Sequence, residues 1–239
     1  MNDIAYVVLI VAVTALLQAV SGFGFALLSV PLFALRIDIH EAVVLSSCIG
    51  TISSGWQTLF LRDNVDRGCA KRYIVSSLVG IPFGFALFVM LSDQVLRLMV
   101  GVAVLFGTFV VAFGGELKVG RMWERALGSL SGALLIATST NGPPIVLALQ
   151  AQRMPMLVFR ATLARIFFVS GVVSVILFLI AGRIDSSILV ATLLCVPVMT
   201  VSVLIGNRLV SRMAERPFRL LVLLLLVLAG TSSLFSAIR

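Results

Sequence analysis

Ser139-Thr140-Asn141-Gly142-Pro143-Pro144 lies inside a charge-free stretch running from Ala126 to Gln152. Asn or Gly followed by Pro signals the start of a helix, because proline is pre-set for the first helical turn and lacks the N–H that would be orphaned there. A helix therefore begins in the middle of a segment apolar enough to lie in lipid. Irregular backbone at that depth survives only where protein covers it or where it lines a cavity, the arrangement of secondary transporters built from discontinuous helices. The hexapeptide predicts a break, and the break predicts a transport site.

The rest of the chain agrees with that setting. It is 60% hydrophobic and only 12% charged over 239 residues, with a mean hydropathy of +1.17, values that belong to an all-α, polytopic membrane protein and exclude a soluble domain. The net charge of +8 sits in short basic clusters between apolar runs, the pattern of cytoplasmic loops and not of a nucleic-acid surface. Met1-Asn2-Asp3 carries no basic leader, and the apolar run behind it is too long for a signal peptide, so no cleavage is expected. Cys48, Cys69 and Cys195 fall in different segments without a C-x-x-C pair. They read as free thiols, and no disulfide, metal site or cofactor is expected.

Charges and turn residues divide the chain into apolar runs at 4–35, 42–61, 73–91, 95–113, 126–149, 157–181, 187–206 and 217–237. Most are near the roughly 20 residues that span a bilayer. The first, with no charge over 32 residues, would as one helix reach about 48 Å across a hydrocarbon core of about 30 Å. Ser21-Gly22-Phe23-Gly24 offers the place to break it.

An internal repeat pairs the two broken segments. Val104-Leu105-Phe106-Gly107-Thr108 returns as Val227-Leu228-Ala229-Gly230-Thr231, Pro82 has a counterpart in Pro197 and Gly24 in Gly142, at spacings of 123, 115 and 118 residues. The expected organisation is a first transmembrane repeat at 1–113, a cytoplasmic link at 114–125 and a second repeat at 126–239. Each repeat opens with a broken segment followed by three ordinary spans.

Charge placement sets the orientation. Arg62, Arg67, Lys71 and Arg72, then Lys118, Arg121 and Arg125 in the link, then Arg208, Arg212, Arg216 and Arg219 should all be cytoplasmic. Eight full crossings cannot achieve this, whereas a re-entrant second broken segment can. It also keeps Arg153 inside and leaves Arg36, Arg97, Arg183 and Arg239 outside. By symmetry the first broken segment is a hairpin entering from outside, and repeats with an odd number of crossings are inverted.

Ser21-Gly-Phe-Gly-Phe-Ala-Leu-Leu-Ser-Val-Pro31, Thr138-Ser-Thr-Asn-Gly-Pro-Pro-Ile-Val-Leu147 and Phe159-Arg-Ala-Thr-Leu163 together resemble the TauE/SafE family of membrane transporters, the sulfite exporter or toluene-sulfonate uptake family. The resemblance covers essentially the whole chain. It implies transport of a small organic or sulfur-containing anion, such as sulfite, a sulfonate or a carboxylate, across the bacterial inner membrane, driven by an ion gradient with a proton or cation coupled to it.

The residues point to an anion by their own chemistry. A helix starting at Pro143 turns its positive dipole end and unpaired amides toward the break, with Ser139, Thr140, Asn141 and Gly142 beside it. Ser21, Gly22 and Gly24 are expected to form the pseudo-symmetric half of the site, with less hydrogen-bonding capacity. Arg165, over a turn inside its run, is expected to neutralise the anion or to snorkel to the headgroups, and Arg160 is expected to snorkel. Ser46, Gly50 and Ser54, like Ser76, Gly80 and Gly84, recur every four residues and read first as packing seams; such small-residue faces also suit a homodimer. Gln18, Gln57 and Gln150 could line the pathway. His40, beside Asp38 and Glu41 in a short loop, has no catalytic or metal-spaced partner, and no Walker motif is present, so neither an enzyme nor an ATP-driven pump is expected. A channel, and below it an intramembrane enzyme, are the competing readings.

Overall fold

The computed structural model describes residues 2–113 and 120–209, together with positions 227 and 231. Within them the chain forms nine α-helices and one 3₁₀ turn, with no strand. In order these are α1 (Asn2–Ser21), α2 (Phe25–Phe33), α3 (Ile39–Phe60), the turn Arg62–Asn64, α4 (Arg67–Met90), α5 (Asp93–Phe113), α6 (Arg121–Thr138), α7 (Gly142–Gln150), α8 (Met156–Ile180) and α9 (Ser186–Leu209). Ile4–Ser21, Arg67–Met90, Asp93–Val110, Met156–Ile180 and Ser186–Leu209 are long and apolar enough to cross a membrane. Apart from positions 227 and 231, the run at 217–237 lies outside the described residues, as do most of the link and Arg212, Arg216, Arg219 and Arg239.

Both breaks fall where the sequence places them. Gly24 adopts φ 96°, backbone that a residue with a Cβ resists, and α2 starts immediately after it. Ser139 closes α6 in the left-handed region at φ 58°, and α7 starts at Gly142. Several other helices begin earlier than the apolar runs. Asp38 caps α3 by accepting from the amides of His40 and Glu41 at 2.8 and 3.3 Å, so His40 belongs to the first turn of α3 and not to a loop. Asp66 does the same for α4 through the Cys69 amide, 2.9 Å away. Hydropathy ends a run at a charge, but helical backbone hydrogen bonding continues through Arg67, Lys71 and Arg72, or Arg121 and Arg125.

After each break the chain folds back. The Tyr6 hydroxyl of α1 donates to the Leu32 carbonyl of α2 at 2.8 Å, and the Arg36 guanidinium sits 4.4 Å from the centre of the Tyr6 ring. Had α2 continued along α1, Tyr6 and Leu32 would be about 39 Å apart at 1.5 Å per residue. In the second segment Gln152, just past α7, donates to Glu124 in the first turn of α6 at 3.2 Å. Both pairs of helices are hairpins.

The corners then sort into two ends. Around Tyr6 gather Arg97, which donates to the Ala34 carbonyl at 2.8 Å, His40, 3.1 Å from the Phe88 carbonyl, and Arg183, over the Phe88 ring at 5.9 Å. Around Gln152 gather Tyr73 at 3.4 Å, the Arg72–Glu124 ion pair at 3.2 Å and the Asp66 amide, which donates to Thr162 at 3.1 Å. Arg36, Arg97 and Arg183 are thus at one end, and the basic 62–72 segment at the other.

Helices from the two halves of the chain pack on one another. α4 packs on α6 as α1 packs on α9, α3 packs on α8, and α3 on α9 as α4 on α8. The α4–α6 contact is backbone against backbone. A Cβ on Gly80 would stand 1.8 Å from the Ser129 carbonyl oxygen, and one on Gly132 would stand 1.9 Å from that of Ser77. The Ser76, Gly80, Gly84 seam is therefore used within the chain.

Candidate functional site

The two hairpin tips meet. A Cβ on Gly142 would lie 3.6 Å from the Phe23 ring, so the start of α7 abuts the turn between α1 and α2. Beside this contact lies a cavity of about 40 Å³, lined from the first hairpin by Gln18 and Gly24 to Leu27, and from the second by Leu135 and Ser139 to Gly142. Its other walls are Ser46, Ser47, Gly50, Thr51 and Ser54 of α3 and Phe167 and Gly171 of α8. A water needs about 10–15 Å³ of such space, so the volume suits a few waters or a solute of a few heavy atoms.

The lining is uncharged, with hydroxyls and side-chain amides set among the apolar Phe25, Ala26, Leu27, Leu135 and Phe167. Ser29 and Ser46 lie 2.8 Å apart, Ser139 reaches Ser46 at 3.5 Å, and Ser47 donates to Ser139 at 3.0 Å. This hydroxyl chain joins α2, α3 and the second tip. Gln18 accepts from Ser53 at 2.7 Å and donates to Ser54 at 3.2 Å, which ties α1 to the same face of α3. Thr140 pairs with the Thr138 hydroxyl. Asn141, half-buried at the head of α7, lines the cavity and makes no side-chain capping bond. Hydroxyls and side-chain amides are donors suited to an anion, several of them here engaged with one another, and no carboxylate lines the space.

The expected site residues separate. Gly24, Ser139, Thr140, Asn141 and Gly142 line the cavity, while Ser21, Gly22, Pro143 and Arg165 do not. The Ser21 hydroxyl is held by the turn itself, 2.8 Å from the Leu17 carbonyl and 2.7 Å from that of Phe23. Gly22 backs onto Arg160, whose Cγ would be 3.0 Å from an added Cβ, and Pro143 packs against Gly107 of α5. Arg165 is exposed and lies in a separate recess. The α7 tip is also poorer in amides than expected. Pro143 and Pro144 remove two of the four first-turn N–H groups, whereas α2 keeps all four, from Phe25 to Leu28.

Arg160 is the arginine that the interior holds. Only 3% exposed, it donates to the Ala19 carbonyl near the C-terminal end of α1 and to the Asn207 side-chain oxygen at 2.8 Å. Its Nε is buried without a partner. Neutral acceptors share its charge but do not cancel it, and a guanidinium stays protonated. A positive field therefore originates one residue from Gln18 in the cavity wall, at a helix C-terminus that favours cations. Sequence reasoning assigned this residue to the headgroups, because its position four residues into α8 suggests the interface.

Sequence reasoning also passed over the α3 wall. Ser46, Gly50 and Ser54 carried the signal, but their spacing is the same as that of the Ser76, Gly80, Gly84 seam. At the Tyr6 end, Asp38, His40 and Asp93 bring ligand-type atoms within 4.8 Å of one another. Asp38 is engaged in capping α3, and His40 Nδ1 stands 3.2 Å from Asp93, so the trio fastens the α2–α3 corner to the start of α5.

The family described as Sulfite exporter TauE/SafE matches residues 7–233. The chain belongs to that family, a family of membrane transporters. No significant match is found among curated proteins or solved structures.

Proposed function

With membership of the TauE/SafE family as the premise, we propose that the chain is a secondary transporter that carries a small oxyanion, sulfite or a short sulfonate or carboxylate, through the cavity between the two hairpin tips. The observation that carries this reading is the meeting of both tips at one uncharged, hydroxyl- and amide-lined space, with the uncancelled Arg160 charge behind it. A neutral donor set holds an anion by several weak contacts, each hydrogen bond to a charged group contributing about 1.5–3 kcal/mol. Such a site binds firmly enough to select and loosely enough to release. The cavity volume favours the smaller oxyanions, and an aryl sulfonate would require the tips to part.

Inverted repeats, at 1–113 and 126–239 around a cytoplasmic link at 114–125, are part of the proposal. Supporting them are the grouping of the α1 start with Arg36, Arg97 and Arg183, the grouping of the α6 start with the basic 62–72 segment, and the matched packing of α4 on α6 and α1 on α9. The basic end is cytoplasmic by the positive-inside rule, and the family resemblance supports the bacterial inner membrane as the location. A homodimer would need surfaces other than the small-residue seams, which are occupied within the chain.

Flux in proteoliposomes loaded with sulfite, sulfonates and short carboxylates, with and without a proton gradient, tests the reading. Saturable flux, highest for the smallest oxyanion and driven uphill by a gradient, is the expected result. Flux that only follows the anion's own electrochemical gradient would make the protein a channel, and no flux of any anion would remove the site.

A further inference from the structure

The recess that holds Arg165 is unlike the cavity between the tips. It measures about 500 Å³ and is bordered by four cations, Arg62, Arg67, Lys71 and Arg165, with no acidic side chain among its lining residues. Arg62 stands 3.8 Å from Asp63, while the side chains of Arg67, Lys71 and Arg165 have no hydrogen-bond or ion-pair partner among the described residues. Between the cations the walls are apolar, formed by Val65, Ala70, Ile74 and Val169. One more group is unaccounted for: Thr58, 4% exposed, lines the recess and its buried hydroxyl lacks a partner. A buried, unpaired hydroxyl costs about 1–3 kcal/mol unless a ligand completes it.

Position separates Arg165 from an ordinary loop cation. It lies nine residues into α8, about 13.5 Å from the helix start, where an uncompensated charge costs roughly 2.5–3.5 kcal/mol on insertion scales. Arg165, Val169, Val172 and Ile176 follow one another at spacings of four, three and four along α8. They share one face of the helix. That face is apolar beyond Arg165 and ends in the exposed side chains Ile176, Leu179 and Ile180. The recess therefore lies on the bundle's outer surface, with Arg62, Arg67 and Lys71 toward the basic end and apolar side chains continuing along α8 beyond Arg165. A free oxyanion has no use for the apolar stripe.

We propose that this recess binds an anionic phospholipid, its phosphate held by Arg165, Lys71 and Arg67 with a hydrogen bond from Thr58, and an acyl chain lying over Val169 toward Ile176. Basic pockets between helices on the cytoplasmic side are suited to such headgroups, at about 1 kcal/mol per Lys or Arg. The site is separate from the tip cavity, and nothing in it depends on which solute is carried.

Binding of short-chain phosphatidylglycerol, short-chain phosphatidylcholine and glycerol phosphate to the detergent-solubilised full-length chain tests this, read by native mass spectrometry and by the shift in thermal unfolding midpoint. Phosphatidylglycerol should bind well above phosphatidylcholine, and glycerol phosphate should not reproduce the shift. Arg165→Gln and Lys71→Gln should each weaken phosphatidylglycerol about fivefold, and together about 25-fold. Arg165→Lys should restore most of the loss, so that a folding defect is distinguished from a lost contact. Equal binding of the two lipids, or full phosphatidylglycerol binding by the double variant, would overturn the assignment. A full shift with glycerol phosphate alone would overturn it in favour of a soluble oxyanion.

Discussion

The two hairpin tips have the same architecture and different chemistry. At the α1–α2 tip the side chains serve the turn: Ser21 bonds the Leu17 and Phe23 carbonyls, and the left-handed Gly22 makes room for Arg160. What this tip can offer a solute is backbone, the four amides opening α2. At the α6–α7 tip two prolines silence half of the equivalent amides, and Ser139, Thr140 and Asn141 supply side-chain donors in their place. A two-fold arrangement can thus enclose a site that is asymmetric in its donors. An oxyanion would meet mobile hydroxyl and amide groups on one side and fixed N–H groups on the other.

Substitutions at the two tips can break that comparison. The largest effect is expected from Asn141→Leu, which removes a cavity-lining amide and inserts an apolar branch into a cavity of about 40 Å³. Flux should fall by about 10–100-fold, the equivalent of one hydrogen bond to a charge, at unchanged expression; wild-type flux would show that the second tip does not touch the solute. Next come the tip glycines. Gly22→Ala forces a Cβ into φ 87° backbone and to within 3.0 Å of Arg160, which should destabilise by about 1–3 kcal/mol. Gly142→Ala meets nothing closer than 3.6 Å and should leave the unfolding midpoint nearly unchanged. Equal losses for the two would mean that the tips are packed alike.

The serines sharpen the contrast. Ser139→Ala, which cuts the chain from Ser46 to Ser47, should raise the KM for transport about fivefold, corresponding to about 1 kcal/mol. Ser21→Ala should lower the unfolding midpoint and leave KM unchanged, since its hydroxyl bonds only the turn. If Ser21→Ala moves KM as Ser139→Ala does, the assignment of one tip to backbone and the other to side chains fails. The smallest effect is expected from Pro143→Ala. It returns an N–H to the α7 tip and should tighten binding about twofold, a fraction of the 0.3–1 kcal/mol typical of helix-terminus interactions; weaker binding would show that the ring's packing on Gly107 matters more than the added donor.

Much of this was legible in the chain before folding. Both breaks were, because Gly24 and the Asn141-Gly142-Pro143-Pro144 run act on backbone torsions within a residue or two of themselves. The sorting of basic residues between two ends was also legible, since the positive-inside rule depends only on order along the chain. The rotation of each helix about its axis was not. In a soluble helix, polarity reveals the buried face, but lipid and protein interior are both apolar, so Ser46, Gly50 and Ser54 on the cavity look the same in sequence as Ser76, Gly80 and Gly84 on a seam.

The arginines of α8 make the point most directly. Each residue turns the helix by about 100°, so the five positions from Arg160 to Arg165 are enough to move a guanidinium from the bundle interior to its outer surface. Sequence alone determined that this is an all-helical chain with two interrupted, lipid-suited segments and a charge bias between its ends, because those properties reside in local torsions and linear order. Tertiary packing decided which serines wall the cavity, which tip offers amides and which arginine is enclosed, because close contacts such as Gly22 on Arg160 and Ser139 on Ser46 and Ser47 set each helix's rotation where hydropathy is silent.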